Sequence, residues 1–167
     1  YVDVSTLKTI YYNLFHSQIS YACLTWGFAG KNTLSRICKL QKRAVRLITF
    51  SDYREPSLRL FSHLRILRLE DVVTLNLCLF MHDWCNHKLP NAFDTFFHNN
   101  ESNVPTRSTV VSKLLLSTKR TEKYVTNNIK YKGSACYNQN TELLLNPQTS
   151  KNTLKNRLTT LLVAAYT

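Results

Sequence analysis

The stretch from Leu34 to Ile48, LSRICKLQKRAVRLI, constrains the fold more than any other part of the chain. Only a helix sorts it into two clean faces. At about 100° per residue, Leu34, Ile37, Cys38, Gln41, Ala44, Val45 and Ile48 fall within an arc of roughly 120°. Arg36, Lys39, Lys42, Arg43 and Arg46 take the opposite side, with no acid among them. One face is fit for a core. The other is a positive strip whose mutual repulsion no i,i+4 acid offsets. A phosphate backbone is the partner that such a strip suits best. These five cations are therefore the candidate nucleic-acid-binding residues, with a merely solvated outer face as the plainer alternative.

Charge over the rest of the chain agrees with an anionic partner. The 167 residues hold 22 Lys and Arg against 10 acids, a formal charge of +12. The excess is spread over both halves, with 12 basic and 6 acidic residues in 1–90 and 10 and 4 in 91–167. That distribution does not describe a basic tail on a neutral domain. The length suits one domain or a domain with an appendage, and it is enough to bury a core without staples. Five cysteines at irregular spacing (Cys23, Cys38, Cys78, Cys85 and Cys136), several of them in apolar runs, read as buried thiols in a reducing compartment. No run of about 20 apolar residues is present, so no bilayer span and no membrane partner is expected. The chain opens on Tyr1 and reads as a piece of something longer.

Periodicity and breakers outline the other elements. Asp3–Tyr21 carries Leu7, Ile10, Tyr11, Leu14, Gln18 and Tyr21 at helical spacing, capped by Asp3 or Ser5. WGFAGKN, with two of the three glycines, is a turn before the basic helix. Ser51–Pro56 ends that helix, a short helix covers 57–64, and another begins near Glu70. The latter is apolar around most of its circumference, which marks a central, buried helix closed by Lys88-Leu89-Pro90. Residues 91–107 lack steady periodicity and read as a linker or long loop. Val110, Val111 and Leu114–Leu116 suit a strand, as does YVTNNIKY over 124–131, turned by Lys132-Gly133. A final helix is expected over 151–166. The fold class expected is mainly α: a small helical bundle over 1–90, then a mixed extension over 108–167 of short strands and a terminal helix.

Catalytic constellations are hard to find. Three glycines cannot build a phosphate-gripping loop, and no Gly-x-Ser-x-Gly elbow occurs. The close acidic pairs in 1–90 are Asp52 with Glu55, at a turn, and Glu70 with Asp71, at a helix start where the dipole alone explains them. Cys78, His82 and Cys85 share a helical face, with His87 displaced from it. A zinc centre needs four ligands, so packed thiols among apolar neighbours are the simpler reading and no metal ligand is assigned. Tyr11, Tyr12, Tyr21, Trp26 and Tyr53 flank the basic helix in sequence. Rings beside cations suit base stacking, though core and rim packing accounts for such rings more simply.

The order of motifs then resembles a known family. LKTIYYNLFHSQISYACLTWG, LQKRAVRLI, SHLRILRLEDV and NHKLP follow one another. This is similar to the segment after the polymerase core in reverse transcriptases of non-LTR retrotransposons, particularly jockey-like and related animal elements. The matching positions are Tyr21, Trp26, Gly27, Leu40–Ala44, Arg46, Leu67, Leu69, Asp71, Asn86, Leu89 and Pro90. Thr106-Arg107, Tyr131 and Gly133 fit further family positions. Tyr137-Asn138 and Leu154-Lys155 stand where Trp-Asn and Phe-Lys are usual, the mark of an aged copy or a divergent lineage. The catalytic Ala-Asp-Asp motif and the endonuclease lie upstream in the family and are not in this chain. The resemblance implies a thumb-like and C-terminal region of an RNA-directed DNA polymerase, working in the nucleus and cytoplasm. It implies contact with an RNA template and an RNA–DNA or DNA duplex, and packing against the upstream palm. It implies no catalysis and no cofactor in this chain, magnesium being used by the parent polymerase. The rival expectation is an interaction module that docks the basic face on an acidic protein.

Overall fold

The structure is a computed structural model that describes residues 2–97, 114, 127–144 and 150–166. It divides into two compact units. Unit 1 comprises residues 1–76 and 155–167, and unit 2 residues 77–154. The division falls inside a helix rather than at the expected boundary near residue 90, and the chain's last helix contributes to the first unit.

Unit 1 begins with α1 (Val4–Ile10), which passes through a π-helical segment (Tyr11–His16) into α2 (Ser17–Ser20). The Ser17 amide donates to the Tyr12 carbonyl, the i→i−5 bond of a π turn. Such turns hold more than 3.6 residues, so a spacing of four stays on one face. Leu7, Tyr11, Phe15 and Ile19 therefore form the inward row, with Tyr11 and Ile19 buried. Leu14 and Tyr21, which pure α periodicity assigns to that row, are exposed. After α3 (Cys23–Trp26) the chain turns at Gly27. A Cβ there lies 2.6 Å from Val73 Cγ2 and 2.4 Å from the Cys23 carbonyl, so close approach to Val73 requires glycine.

The basic helix is α4 (Lys31–Thr49), followed by α5 (Ser57–Leu64). Val45 and Ile48 join Tyr11, Leu60, Phe61, Leu64, Ile66 and Tyr166 in the main core of unit 1. The next helix, α6 (Leu69–Cys85), is buried around most of its girth, as its all-round apolar sequence requires. Helices α4, α5 and α6 end alike. Phe50, Arg65 and His87 adopt left-handed φ of 54°, 53° and 52°. At each, the next amide reaches back to close a 6→1 bond: Ser51 to Arg46, Ile66 to Phe61 and Lys88 to Asp83. These are Schellman motifs built without glycine, and in α5 the Ile66–Phe61 apolar pair completes the motif inside the core.

Unit 2 takes the second half of α6, a 3-10 turn (Asn91–Phe93), α7 (Ile129–Gln139) and α8 (Thr141–Leu144). Phe80, Trp84, Phe93, Phe96, Phe97 and Tyr137 form a chain of edge-on ring contacts. The final helix α9 (Lys151–Ala164) starts in unit 2, where Lys151 Nζ pairs with Asp83 Oδ2 at 2.5 Å, and ends in unit 1.

The mainly helical expectation holds, and none of the expected C-terminal strands is seen among the described residues. Residues 129–131 of the YVTNNIKY segment open α7 instead. Asn128 caps it by accepting the Lys130 amide at 3.0 Å, while residues 124–126 of the expected strand lie outside the described residues. Lys132-Gly133 is mid-helix, not a turn. A Cβ at Gly133 lies 2.7 Å from Phe97 Cε1 and 2.9 Å from Met81 Sδ, so this glycine serves close packing. Of the expected strand at 110–116, only Leu114 lies among the described residues. Its N–H and C=O both bond to the Asn138 carboxamide, at 2.9 and 3.0 Å. The start of the expected linker, 91–97, holds the 3-10 turn and the buried Phe97, while 98–107 falls outside the described residues. Among the described residues, no helix is long and apolar enough to cross a membrane.

Candidate nucleic-acid interface

Helix α4 owes its orientation to one buried amide. Gln41, on its inner face, is 2% exposed. Its Nε2 donates to the Tyr11 hydroxyl and to the Leu67 carbonyl, each at 2.9 Å. Its Oε1 accepts the Leu69 amide at 2.9 Å. One carboxamide thus ties α4 to the π segment and to the start of α6, and satisfies backbone groups that would otherwise be buried unpaired. Burial pushes the Tyr11 hydroxyl up to about 12, so it stays protonated.

The opposite face carries the five candidate cations, and the structure separates them. Arg36, Lys39, Lys42 and Arg43 are exposed and form no ion pair among the described residues. Arg46 is half-buried. Its Nε and Nη2 donate to the Glu55 carbonyl at 3.1 and 2.9 Å, and its guanidinium lies 5.8 Å from the Tyr53 ring centre. Arg46 therefore braces the turn after α4 as well as adding charge. The strip is also less purely polar than its charges suggest. Leu40 and Leu47 share the outer face and are 57% and 66% exposed, and Phe50 at the helix end is 69% exposed. Sequence reasoning passed over these three. For Leu40 and Leu47, the angular position on the wheel between Arg36 and the apolar arc was the available signal.

At the edge of the strip lies a cavity of about 130 Å3 lined in part by Cys38, Lys42, Arg68 and Glu70. Glu70 brings a negative charge to the cavity that Lys42 also lines, which the sequence of α4 alone does not show. Burial pushes the Cys38 thiol up, with Glu70 adding to the effect, so it is not an activated nucleophile.

In each acidic pair weighed in the sequence, the aspartate has structural partners. Asp71 Oδ2 accepts from Arg68 Nε at 2.9 Å and from the Tyr166 hydroxyl, and the same hydroxyl accepts the Arg68 amide at 3.1 Å. The Arg68 guanidinium lies 4.8 Å from the Tyr166 ring centre. Asp52 Oδ1 accepts the Arg54 amide at 2.9 Å in a turn. No group of three His, Cys, Asp or Glu among the described residues is arranged to hold a metal ion. His82 is buried, with Nε2 at 3.3 Å from Asn86 Nδ2, while His87 is exposed at the end of α6. Of the flanking rings, Tyr11 is core and Tyr21 and Tyr53 are exposed.

Compared with protein-family models, with curated proteins and with solved structures, the chain finds no match.

Proposed function

We propose that this chain is a nucleic-acid-binding segment of a retrotransposon-type RNA-directed DNA polymerase, C-terminal to the catalytic core. In this reading it grips the template–primer duplex through α4 and performs no chemistry alone. The observation that carries it is the outer face of α4, where Arg36, Lys39, Lys42 and Arg43 stand exposed and without ion pairs among the described residues. Cations that the fold does not consume are available to phosphates, and the Gln41 bonds hold their helix in place. Contacts of this kind set position and register and do not read bases. The order of sequence motifs supports the polymerase assignment. The parent's magnesium chemistry, its palm and its nuclear and cytoplasmic setting belong to the same proposal.

The test is binding of the 167-residue chain to an RNA–DNA hybrid across a salt series, followed by fluorescence anisotropy. Replacing Arg36, Lys39, Lys42 and Arg43 by Ala is expected to reduce the slope of log affinity against log salt by about three to four. An unchanged slope removes α4 from the interface. Nucleotide incorporation by the isolated chain with any divalent metal refutes the absence of chemistry.

A second reading has its own observation. The exposed row Leu40, Leu47 and Phe50 beside the cations suits an acidic protein partner with apolar side chains. Leu40→Ser with Leu47→Ser leaves hybrid binding intact under the first reading and abolishes partner docking under the second.

A further inference from the structure

Unit 2 brings two thiols into contact. Cys78 on α6 and Cys136 on α7 are separated by 58 residues, and their Sγ atoms are 3.0 Å apart. That is about 1 Å beyond a covalent S–S bond. Both side chains are buried, at 2% and 6% exposure. Two thiols so placed are either inert packing or a dithiol set to oxidise, and the surroundings distinguish the two. The hydrogen bond between them favours the thiolate on Cys78, whose pKa is lowered, and holds the proton on Cys136, whose pKa is raised. Burial pushes Cys23, Cys38 and Cys85 upward, the last to about 11. Of the five thiols, Cys78 is the one shifted toward its reactive form, and Cys136 lies within its reach. Asn140 Nδ2 lies 3.9 Å from Cys136 Sγ, on the partner sulfur, and donates to the Cys136 carbonyl at 3.0 Å.

We propose that Cys78 and Cys136 form a reversible thiol–disulfide site, oxidised by hydrogen peroxide, that joins α6 to α7 within unit 2. The Cys78 thiolate attacks one peroxide oxygen. An S–O bond forms, the O–O bond breaks, and the departing hydroxide takes a proton to become water. Cys136 then attacks the Cys78 sulfur, the S–S bond forms, and the S–O oxygen leaves as a second water carrying the Cys136 proton. Two thiols lose two electrons and one peroxide gains them. A dithiol reductant reverses the step. Because both sulfurs are buried, the oxidant enters through local opening of unit 2, and reaction is slower than at an exposed thiol. The cross-link closes a loop of the chain between α6 and α7 and removes conformations from the unfolded ensemble of that unit.

The reduced full chain is treated with dilute hydrogen peroxide, quenched with an alkylating agent and mapped by peptide mass spectrometry. The expected product is an intramolecular link between the Cys78 and Cys136 peptides, with the loss of two hydrogens, while Cys23, Cys38 and Cys85 remain alkylated. Oxidised protein is expected to show slower proteolysis within 77–154 than reduced protein, and dithiothreitol restores the original rate. Cys136→Ser and Cys136→Ala, two variants of different polarity at one site, are both expected to leave Cys78 as a sulfenic acid without the link. A different cysteine pair, links between chains, or five alkylated thiols in folded protein after prolonged exposure overturns the proposal. The wild-type map alone decides the pairing, so the result does not depend on the variants folding.

Discussion

The Gln41 carboxamide donates to the Tyr11 hydroxyl at 2.9 Å across 30 residues of sequence. Through that bond and two more, to Leu67 and Leu69, the cationic helix is keyed into the core from behind. The residue that orients the cationic face is on the opposite, buried face of the helix.

Gln41→Leu keeps the volume and deletes the bonds. The Leu69 N–H and Leu67 C=O are then buried without partners, and each such group costs about 1–3 kcal/mol. A stability loss of about 2–4 kcal/mol is expected in urea unfolding. Unchanged stability in this variant means that water replaces the amide and that the keying is weak.

Arg46 is expected to behave differently from its four neighbours. Arg46→Ala removes two donors to the Glu55 carbonyl and the contact with Tyr53, a stability loss of about 1–2 kcal/mol. Its effect on the salt slope of hybrid binding is expected to be less than one counterion. A full counterion lost with stability unchanged assigns Arg46 to the duplex instead.

The left-handed residues that close the helices offer a gain. Arg65 and His87 each bear a Cβ in a conformation that costs an L-residue roughly 1–2 kcal/mol. Glycine removes that strain but makes the unfolded chain looser by about 0.5–1 kcal/mol. Arg65→Gly and His87→Gly are each expected to raise stability by about 0.5–1 kcal/mol in thermal unfolding. A fall in either midpoint shows that the side chain contributes more than its conformation costs.

Alkali is expected to unfold unit 1. Burial pushes Tyr11 and Tyr166 each up to about 12, and for Tyr166 the bond to Asp71 adds to the shift. Unfolded, both titrate near about 10. A folded pKa above the unfolded one means the stabilisation is whole below about pH 10 and is lost as pH rises toward about 12. Circular dichroism and tyrosinate absorbance followed together check this. Tyr11 and Tyr166 are expected to ionise with the loss of helix signal. Tyr166→Phe, which also gives up the Asp71 bond, is expected to cost about 1–2 kcal/mol at neutral pH and to make the alkaline loss shallower. All nine tyrosines ionising near about 10 in a native-like spectrum contradicts the burial assigned here.

How legible this molecule was in its sequence depends on how local the causes are. Helix 57–64 could be placed because Pro56, the turn and the apolar spacing all lie within a few residues. The buried girth of α6 was equally plain from Val72, Val73, Leu75, Leu77 and Leu79. The π segment was not, because a spacing of four between Tyr11, Phe15 and Ile19 fits an α stripe too until the turn width is known. Gly133 looked like a turn because its reason, the space taken by Phe97 and Met81, is non-local. In the candidate interface, the outward side of Arg36, Lys39, Lys42 and Arg43 follows from periodicity alone. The diversion of Arg46 to Glu55 depends on the path of a turn, and the acid Glu70, which lines a cavity with Lys42, comes from another helix. Gln41 sat in the apolar arc as an apparent blemish. An amide among leucines is a sign of backbone groups waiting for it.

Tyr166 is buried in the same core as Tyr11, while residues 77–154, between them in sequence, form the other unit. On the ribosome, this order becomes a delay. The first 76 residues emerge without the part that seals their core, and at about 5–20 residues per second the missing part follows roughly 4–18 s later. Until then the early helices depend on chaperones or on one another, whereas the intervening unit is contiguous and can close first.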